Sequence, residues 1–255
     1  MLKTDEVLSL LIHAASKEGK STLTSTVPFP ALIMDAEGSW KFIDEVGYKS
    51  GRPLRKIKWN PLTEPIPRHD GTWDVCHVHV GDWQTMQRIY QHLTQTEHDF
   101  QSLVLDSITE VQRRCKKNIK STGQFQIQEW GALLDAMDGM IRGYRDLTLL
   151  NSNPIRCVVF VSETIMRDGV WRPNMQGQIR DNMPYWVDIC GWLFTDLIAD
   201  DRGNVQAKRK KLLIGAGLYP QYLAGERVQG RLPDIIENPN IADMLNAVYP
   251  HNQEN

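Results

Sequence analysis

Residues 14–21 read AASKEGKS and lie between an apolar run, Val7–His13, and a short helical stretch, Lys20–Thr26. The spacing matches G-x-x-x-x-G-K-[ST] with Ala14 in the first position. A strand that feeds a helix through such a loop aims successive backbone N–H groups and the helix N-terminus at one point, an anion cradle. Ala15, Ser16, Lys17 and Glu18 supply that backbone, and Gly19 lets it approach a phosphate closely. Lys20 can reach the β- and γ-phosphates of a nucleotide such as ATP. The Ser21 hydroxyl can hold Mg²⁺, with Thr22 next in the helix. Ligands of such loops bind outside the carboxyl ends of strands, so the motif points to an α/β chain.

The remaining periodicity agrees. It predicts a mainly parallel sheet flanked by helices, with an antiparallel hairpin towards the C-terminus. Strands are expected at Ala31–Asp35, Val75–Val80, Ser102–Asp106 and Ile155–Ser162. Helices are expected at Trp83–Thr94, after Asp106 through Lys117, and at Glu129–Leu150. Residues 38–72, and a loop from about 164 to 185, show no clear period. Asp188–Asp196 and Val205–Ala216, joined by DDRGN, read as the hairpin. A Pro-containing tail with a helix at Ile241–Val248 follows. One domain over 1–255 is expected, with a core at about 7–200 and the hairpin and wrap-around tail at about 201–255.

Two acids complete the phosphate site. FQSLVLDS, residues 100–107, is an apolar strand ending in Asp106, which is suited to hold Mg²⁺ as a Walker B acid. ALIMDAEGS, residues 31–39, carries Glu37 just past a strand end, where a carboxylate can deprotonate an attacking water. With these residues the chain resembles the RecA-like recombinase ATPases, which share the order P-loop, Asp-Ala-Glu, then an apolar strand ending in Asp-Ser. More narrowly it is similar to compact phage-encoded ATPases of single-strand annealing and recombination, a phage AAA/RecA-like family. FPALIMDAEGS, LVLDSITEVQ, QEWG at 128–131, and a late P-x-x-x-G before Asp188 carry that likeness. It covers most of residues 7–240 and is specific in the first 110.

The resemblance implies catalytic roles for Lys20 and Glu37, metal binding by Ser21 and Asp106, and a γ-phosphate sensor at the end of the VSET strand. Glu163 stands at the sensor position, with Ser162 and Thr164 beside it; an unpaired carboxylate there would be repelled by phosphate. Trp40 either stacks on adenine or packs near the site. The family contacts single-stranded DNA through two loops, which implies DNA-binding roles for Lys116, Lys117 and Lys120, and for Arg167, Trp171, Arg172 and Arg180. Basic side chains neutralise phosphates and an aromatic can stack on a base. A basic helix end is also favoured by the helix dipole alone, which applies to Lys116 and Lys117. A homo-oligomer, ring or filament, is implied, with a basic finger from a neighbour among Lys208, Arg209, Lys210, Lys211 and Arg227. The family's N-terminal docking segment and separate DNA-binding domain are expected to be missing. A single-strand-binding protein is a further implied partner.

A net charge of −2 conceals a strong segregation. Residues 49–58, 113–120 and 202–211 hold five Lys/Arg each and no Asp or Glu, which is 15 of the 29 basic residues. An acidic body with concentrated basic patches is compatible with a polyanion on one face. With 41% hydrophobic and 24% charged residues the chain is globular, not disordered. No apolar run reaches the ~18 residues of a membrane helix, so no membrane partner is expected. Cys76, Cys115, Cys157 and Cys190 show no C-x-x-C spacing, and the N-terminus does not read as a signal peptide. Free thiols and a cytoplasmic location follow as expectations, the host cytoplasm if the chain is phage-encoded. His77 and His79 share a strand face without a third ligand nearby, a polar face and not a metal site. Besides a recombinase, the P-loop is open to a loader, regulatory or assembly ATPase acting on a protein, and to a small-molecule kinase. The kinase is disfavoured by Glu37 and the late hairpin.

Overall fold

A computed structural model of the chain describes residues 6–43, 53–150, 155–199 and 205–250. β1 (Leu8–Ala14) is buried at every position and opens through the phosphate loop into α1 (Lys20–Thr24). β2 (Ala31–Asp35) leads to a 3-10 turn (Ser39–Phe42), β3 (Lys56–Lys58), β4 (Val75–His79) and α2 (Trp83–Gln95). β5 (Ser102–Asp106) runs into α3 (Ile108–Ile119), α4 (Ile127–Asp146) and a second 3-10 turn (Leu147–Leu149). β6 (Cys157–Arg167) and β7 (Val170–Pro173) precede α5 (Ile179–Trp186). β8 (Ile189–Ala199), β9 (Val205–Leu213), β10 (Gly225–Glu226), β11 (Ile235–Glu237) and α6 (Ile241–Val248) complete the order.

Among the described residues the sheet runs β11-β9-β8-β1-β6-β5-β2-β4-β3, with β10 on β8 and β7 on β6. The strands from β8 through β3 are parallel, and β8–β9–β11 are antiparallel. Parallel strands covered on both faces bury every position, which is why they read as continuous apolar runs. Alternate residues of β1 feed two cores. Leu8, Leu10, Ile12 and Ala14 pack with α1 and α6, while Leu11 joins the side covered by α2, α3, α4 and α5. Asp82 caps α2 by accepting from Thr85 N at 2.7 Å, and Gln126 and Glu129 form a capping box on α4. The Tyr144 hydroxyl donates to Met86 O at 2.7 Å and ties α4 to α2. The four cysteines are free and buried, and burial pushes their thiols up to about 12.

Four stretches differ from the sequence expectation, one of them the tail, which adds β10 on β8 and β11 on β9 to its expected helix. The segment 38–72 holds an edge strand, β3, paired with β4 in the register Ile57↔Cys76. The expected loop at 164–185 is ordered structure. β6 continues to Arg167 and turns through Asp168 and Gly169, both at positive φ, into β7, and α5 follows. Positive φ at both central residues is what a two-residue hairpin requires, and Asp-Gly is its common signature. The long helix starts at Ile127 and gives way to a 3-10 turn at Leu147. The hairpin connector at 200–204 lies outside the described residues, as do Lys49, Arg52 and Arg202 of the basic runs.

Candidate functional site

The sheet brings four strand ends to one edge. In register, Ala14 of β1 lies beside Glu163 of β6, Val161 beside Asp106 of β5, and Asp106 beside Asp35 of β2. The phosphate loop therefore faces the acids of β5 and β2 across the end of β6. Gly19 sits at φ 84, a left-handed conformation costly for other residues, immediately before α1. The Lys20 ammonium folds over its own loop and donates to Ala14 O at 3.2 Å and Ala15 O at 3.0 Å.

Asp106 is the centre of the site. Its Oδ2 accepts from the Ser21 hydroxyl at 2.7 Å, the Ser39 hydroxyl at 3.1 Å and the Trp40 indole N–H at 3.2 Å. Burial pushes its carboxyl up to about 6, against the Ser21 hydrogen bond and with help from the charges of Glu37 and Asp35. A buried carboxylate with raised proton affinity and a hydroxyl 2.7 Å away is a donor set suited to a divalent cation with oxygen ligands. The expected Ser21–Asp106 pair thus fits Mg²⁺. Among the described residues no group of three or more His, Cys, Asp or Glu could hold a metal.

Trp40 corrects one expectation. Its ring is fully buried and its N–H is spent on Asp106, so it is a core residue and not an adenine platform. A cavity of about 160 Å³ is lined by Gly19, Thr22, Leu23, Leu193, Lys210, Asn238 and Pro239.

Glu37 is exposed just past β2, and its Oε1 accepts the Ser107 hydroxyl. Asp35 organises the loop that carries it: Oδ1 accepts from Gly38 N at 2.7 Å and from Glu37 N and Ser39 N at 3.2 Å. Its Oδ2 accepts from Trp40 N at 3.3 Å and lies 3.1 Å from His77 Nε2. Burial alone would raise the Asp35 carboxyl, but His77 and these amides outweigh it and hold it below the usual range. Arg114 steadies the same loop by donating to Ala36 O at 2.9 Å. The structure adds Ser39, Ser107, Asp35 and Arg114 to the expected site residues. Asp35 and Ser107 carry a local signal, in Asp-Ala-Glu and directly after Asp106, whereas Arg114 carries none.

The carboxylate of Glu163 is paired. Oε2 accepts from Arg113 at 3.0 Å and from Asn174 Nδ2 at 3.0 Å, so the repulsion expected for a lone carboxylate near phosphate is offset. Ser162 is fully buried and its hydroxyl lies 3.1 Å from that of Thr109, whereas Thr164 donates to Arg172 O.

The basic residues divide. Lys116 lies over the rings of Phe125 and Trp130, and Lys120 is held by Gln124 O and Glu129. Both lock the α3–α4 junction, while Lys117 is exposed. Arg167 is exposed at the β6–β7 turn, where its nearest acid is Asp168 at 3.7 Å. Arg172 and Arg180 both pair with Asp181, and Trp171 packs near Trp192, which stacks on Tyr222. Gln112 of α3 and Gln176 exchange hydrogen bonds at 3.1 and 2.7 Å, so the two basic segments adjoin.

A family model described as an AAA domain matches residues 6–213. The chain belongs to that family. No curated protein matches the sequence. Membership supports a nucleotide-hydrolysing P-loop ATPase in general, and the match spans the loop at 14–21 and ends at the last residue of β9. Among the described residues no helix is long and apolar enough to cross a membrane.

In the strand leading into the loop at 14–21, His13 is fully buried and its Nε2–H donates to Leu223 O at 2.7 Å. Burial lowers its pKa to about 4, against the Leu223 hydrogen bond and with a small push from Lys20. A folded pKa below the unfolded 6.5 means the unfolded chain binds more protons between those values. Stability is therefore lost as pH falls from about 6.5 to 4, by at most about 3 kcal/mol. Asp106 acts in the opposite sense: its raised pKa gives stability back as pH falls below about 6. His13→Gln is expected to flatten the fall in urea midpoint between pH 7 and 5. An identical pH dependence in that variant would refute a neutral buried His13.

Proposed function

We propose that the chain is an ATP-dependent, single-stranded-DNA-binding RecA-like protein of recombination or annealing, acting as a homo-oligomeric ring or filament. The observation that carries this reading is the continuity of β6. One strand runs from Glu163, beside the phosphate loop, to Arg167 at an exposed hairpin turn. Arg113 of the basic helix α3 grips Glu163 from the side. A change at the γ-phosphate would reach both basic segments through one carboxylate, which is a route for coupling nucleotide state to polyanion affinity.

In this reading Lys20 leaves its loop carbonyls to bind the phosphates, and Ser21 and Asp106 hold Mg²⁺. Bound there, Mg²⁺ would neutralise charge on the β- and γ-oxygens. Glu37, oriented by Ser107 and the Asp35 loop, takes the proton of the attacking water. Thr22 and Pro239 would flank the base. A host-cell cytoplasmic setting and a single-strand-binding protein as partner fit the same reading.

Single-stranded DNA is expected to stimulate ATP hydrolysis and to bind with an affinity that falls steeply with salt, with a log–log slope of about −0.7 for each phosphate contacted. Arg167→Ala should weaken DNA binding and make that slope shallower, while leaving DNA-independent hydrolysis in place. Absence of both stimulation and salt-dependent binding would exclude DNA as the partner. A protein partner is then favoured by Ile165 and Met166, which are 41% and 46% exposed beside Arg167.

A further inference from the structure

Glu18 poses a charge conflict. It lies inside the loop that receives a polyphosphate, one residue before Gly19. The C-terminal hairpin draws it aside. Its Oε2 accepts from the Thr195 hydroxyl at 2.5 Å and from Lys210 Nζ at 2.9 Å, and Lys210 also donates to Thr195. Thr195 on β8 and Lys210 on β9 are direct cross-strand partners, so the antiparallel pair delivers both groups to one spot. The Lys210 stem passes 3.6 Å from where a Cβ on Gly19 would stand, which seats it against the loop itself. Its neighbours face elsewhere: Arg209 and Lys211 pair with Glu237, and Lys211 also with Asp196.

We propose that Lys210 is a positioning residue for nucleotide binding: together with Thr195 it holds the Glu18 carboxylate off the phosphate path and cancels its charge. Burial alone would raise the Glu18 carboxyl. The Thr195 and Lys210 hydrogen bonds outweigh it, so Glu18 is a carboxylate below its usual range and the conflict is real at neutral pH. The proposal rests on the nucleotide-site reading of the loop. It differs from a basic finger that touches phosphate directly. A finger matters whatever residue 18 carries, whereas a clamp matters only while residue 18 is charged.

The test is a double-mutant cycle read by titration with a fluorescent ATP analogue in Mg²⁺. Lys210→Met, which keeps most of the stem, is expected to weaken binding about tenfold with Glu18 present, and less than about threefold in a Glu18→Gln background. Thr195→Val should show the same dependence on Glu18 with a smaller loss, and it serves if Lys210→Met does not fold. An equal loss in both backgrounds would mean that Lys210 acts on the nucleotide directly, at phosphate or base, and would overturn the clamp. No loss with Glu18 present would overturn it as well. Failure of the nucleotide reading is visible separately, as wild-type protein that does not bind the probe.

Discussion

Lys20→Ala is expected to lose nucleotide binding by about three orders of magnitude while the protein stays folded. A unit charge about 4 Å from a phosphate oxygen, at the effective dielectric of a protein surface, interacts by about 4 kcal/mol. That corresponds to roughly a thousandfold in affinity. The cost to the fold is small, because Lys20 is only partly buried and its two hydrogen bonds go to carbonyls of its own loop. Ala15 is exposed, so water can replace the ammonium at its carbonyl. The measurement is a nucleotide titration beside a thermal melt. Loss of binding with a Tm within a few degrees of wild type is the expected pair of results. Wild-type affinity in the variant would remove the 14–21 loop as the phosphate site.

How much of this was legible in the sequence follows from where each interaction is written. β1, β2 and β5 could be read because parallel strands buried on both faces are continuous apolar runs, and the chemistry sits at their carboxyl ends. The loop at 14–21 and Asp106 were readable for that reason. The β6–β7 hairpin was legible in principle: Asp168-Gly169 is a strong turn signal, but the Gly and Pro around it suggested an irregular loop. Trp40 could not be assigned, since a tryptophan near a nucleotide site suits a base platform or a core. Only the folding of residues 36–40 around Asp35 decides that its N–H meets Asp106. Glu18 and Lys210 lie 192 residues apart, and no local pattern marks a pair made by the hairpin closing against β1. The basic runs show the limit of charge counting. Lys116 and Lys120 looked like polyanion ligands, yet they serve an internal junction, and only the packing of Phe125, Trp130 and Glu129 separates them from Lys117.

Glu37→Gln is expected to leave nucleotide affinity within a few-fold of wild type and to slow the hydrolytic step by about 10²–10⁴, the range of a positioned general base. Two carboxylates compete for the role, and their surroundings separate them. Glu163 already accepts from Arg113 and Asn174, which ties its carboxylate to the α3 and post-β7 segments. Glu37 is exposed to water, and its carboxylate accepts from the neutral Ser107 hydroxyl and not from a cation. The amide of Gln can still accept from Ser107, and the Asp35 bonds to the loop backbone do not involve the side chain at 37. The substitution therefore removes the base and keeps the scaffold. Single-turnover hydrolysis measured alongside nucleotide affinity separates the outcomes. Slow chemistry with intact affinity assigns Glu37 as the base. Normal chemistry excludes it and makes Glu163, freed from Arg113, the carboxylate to test next.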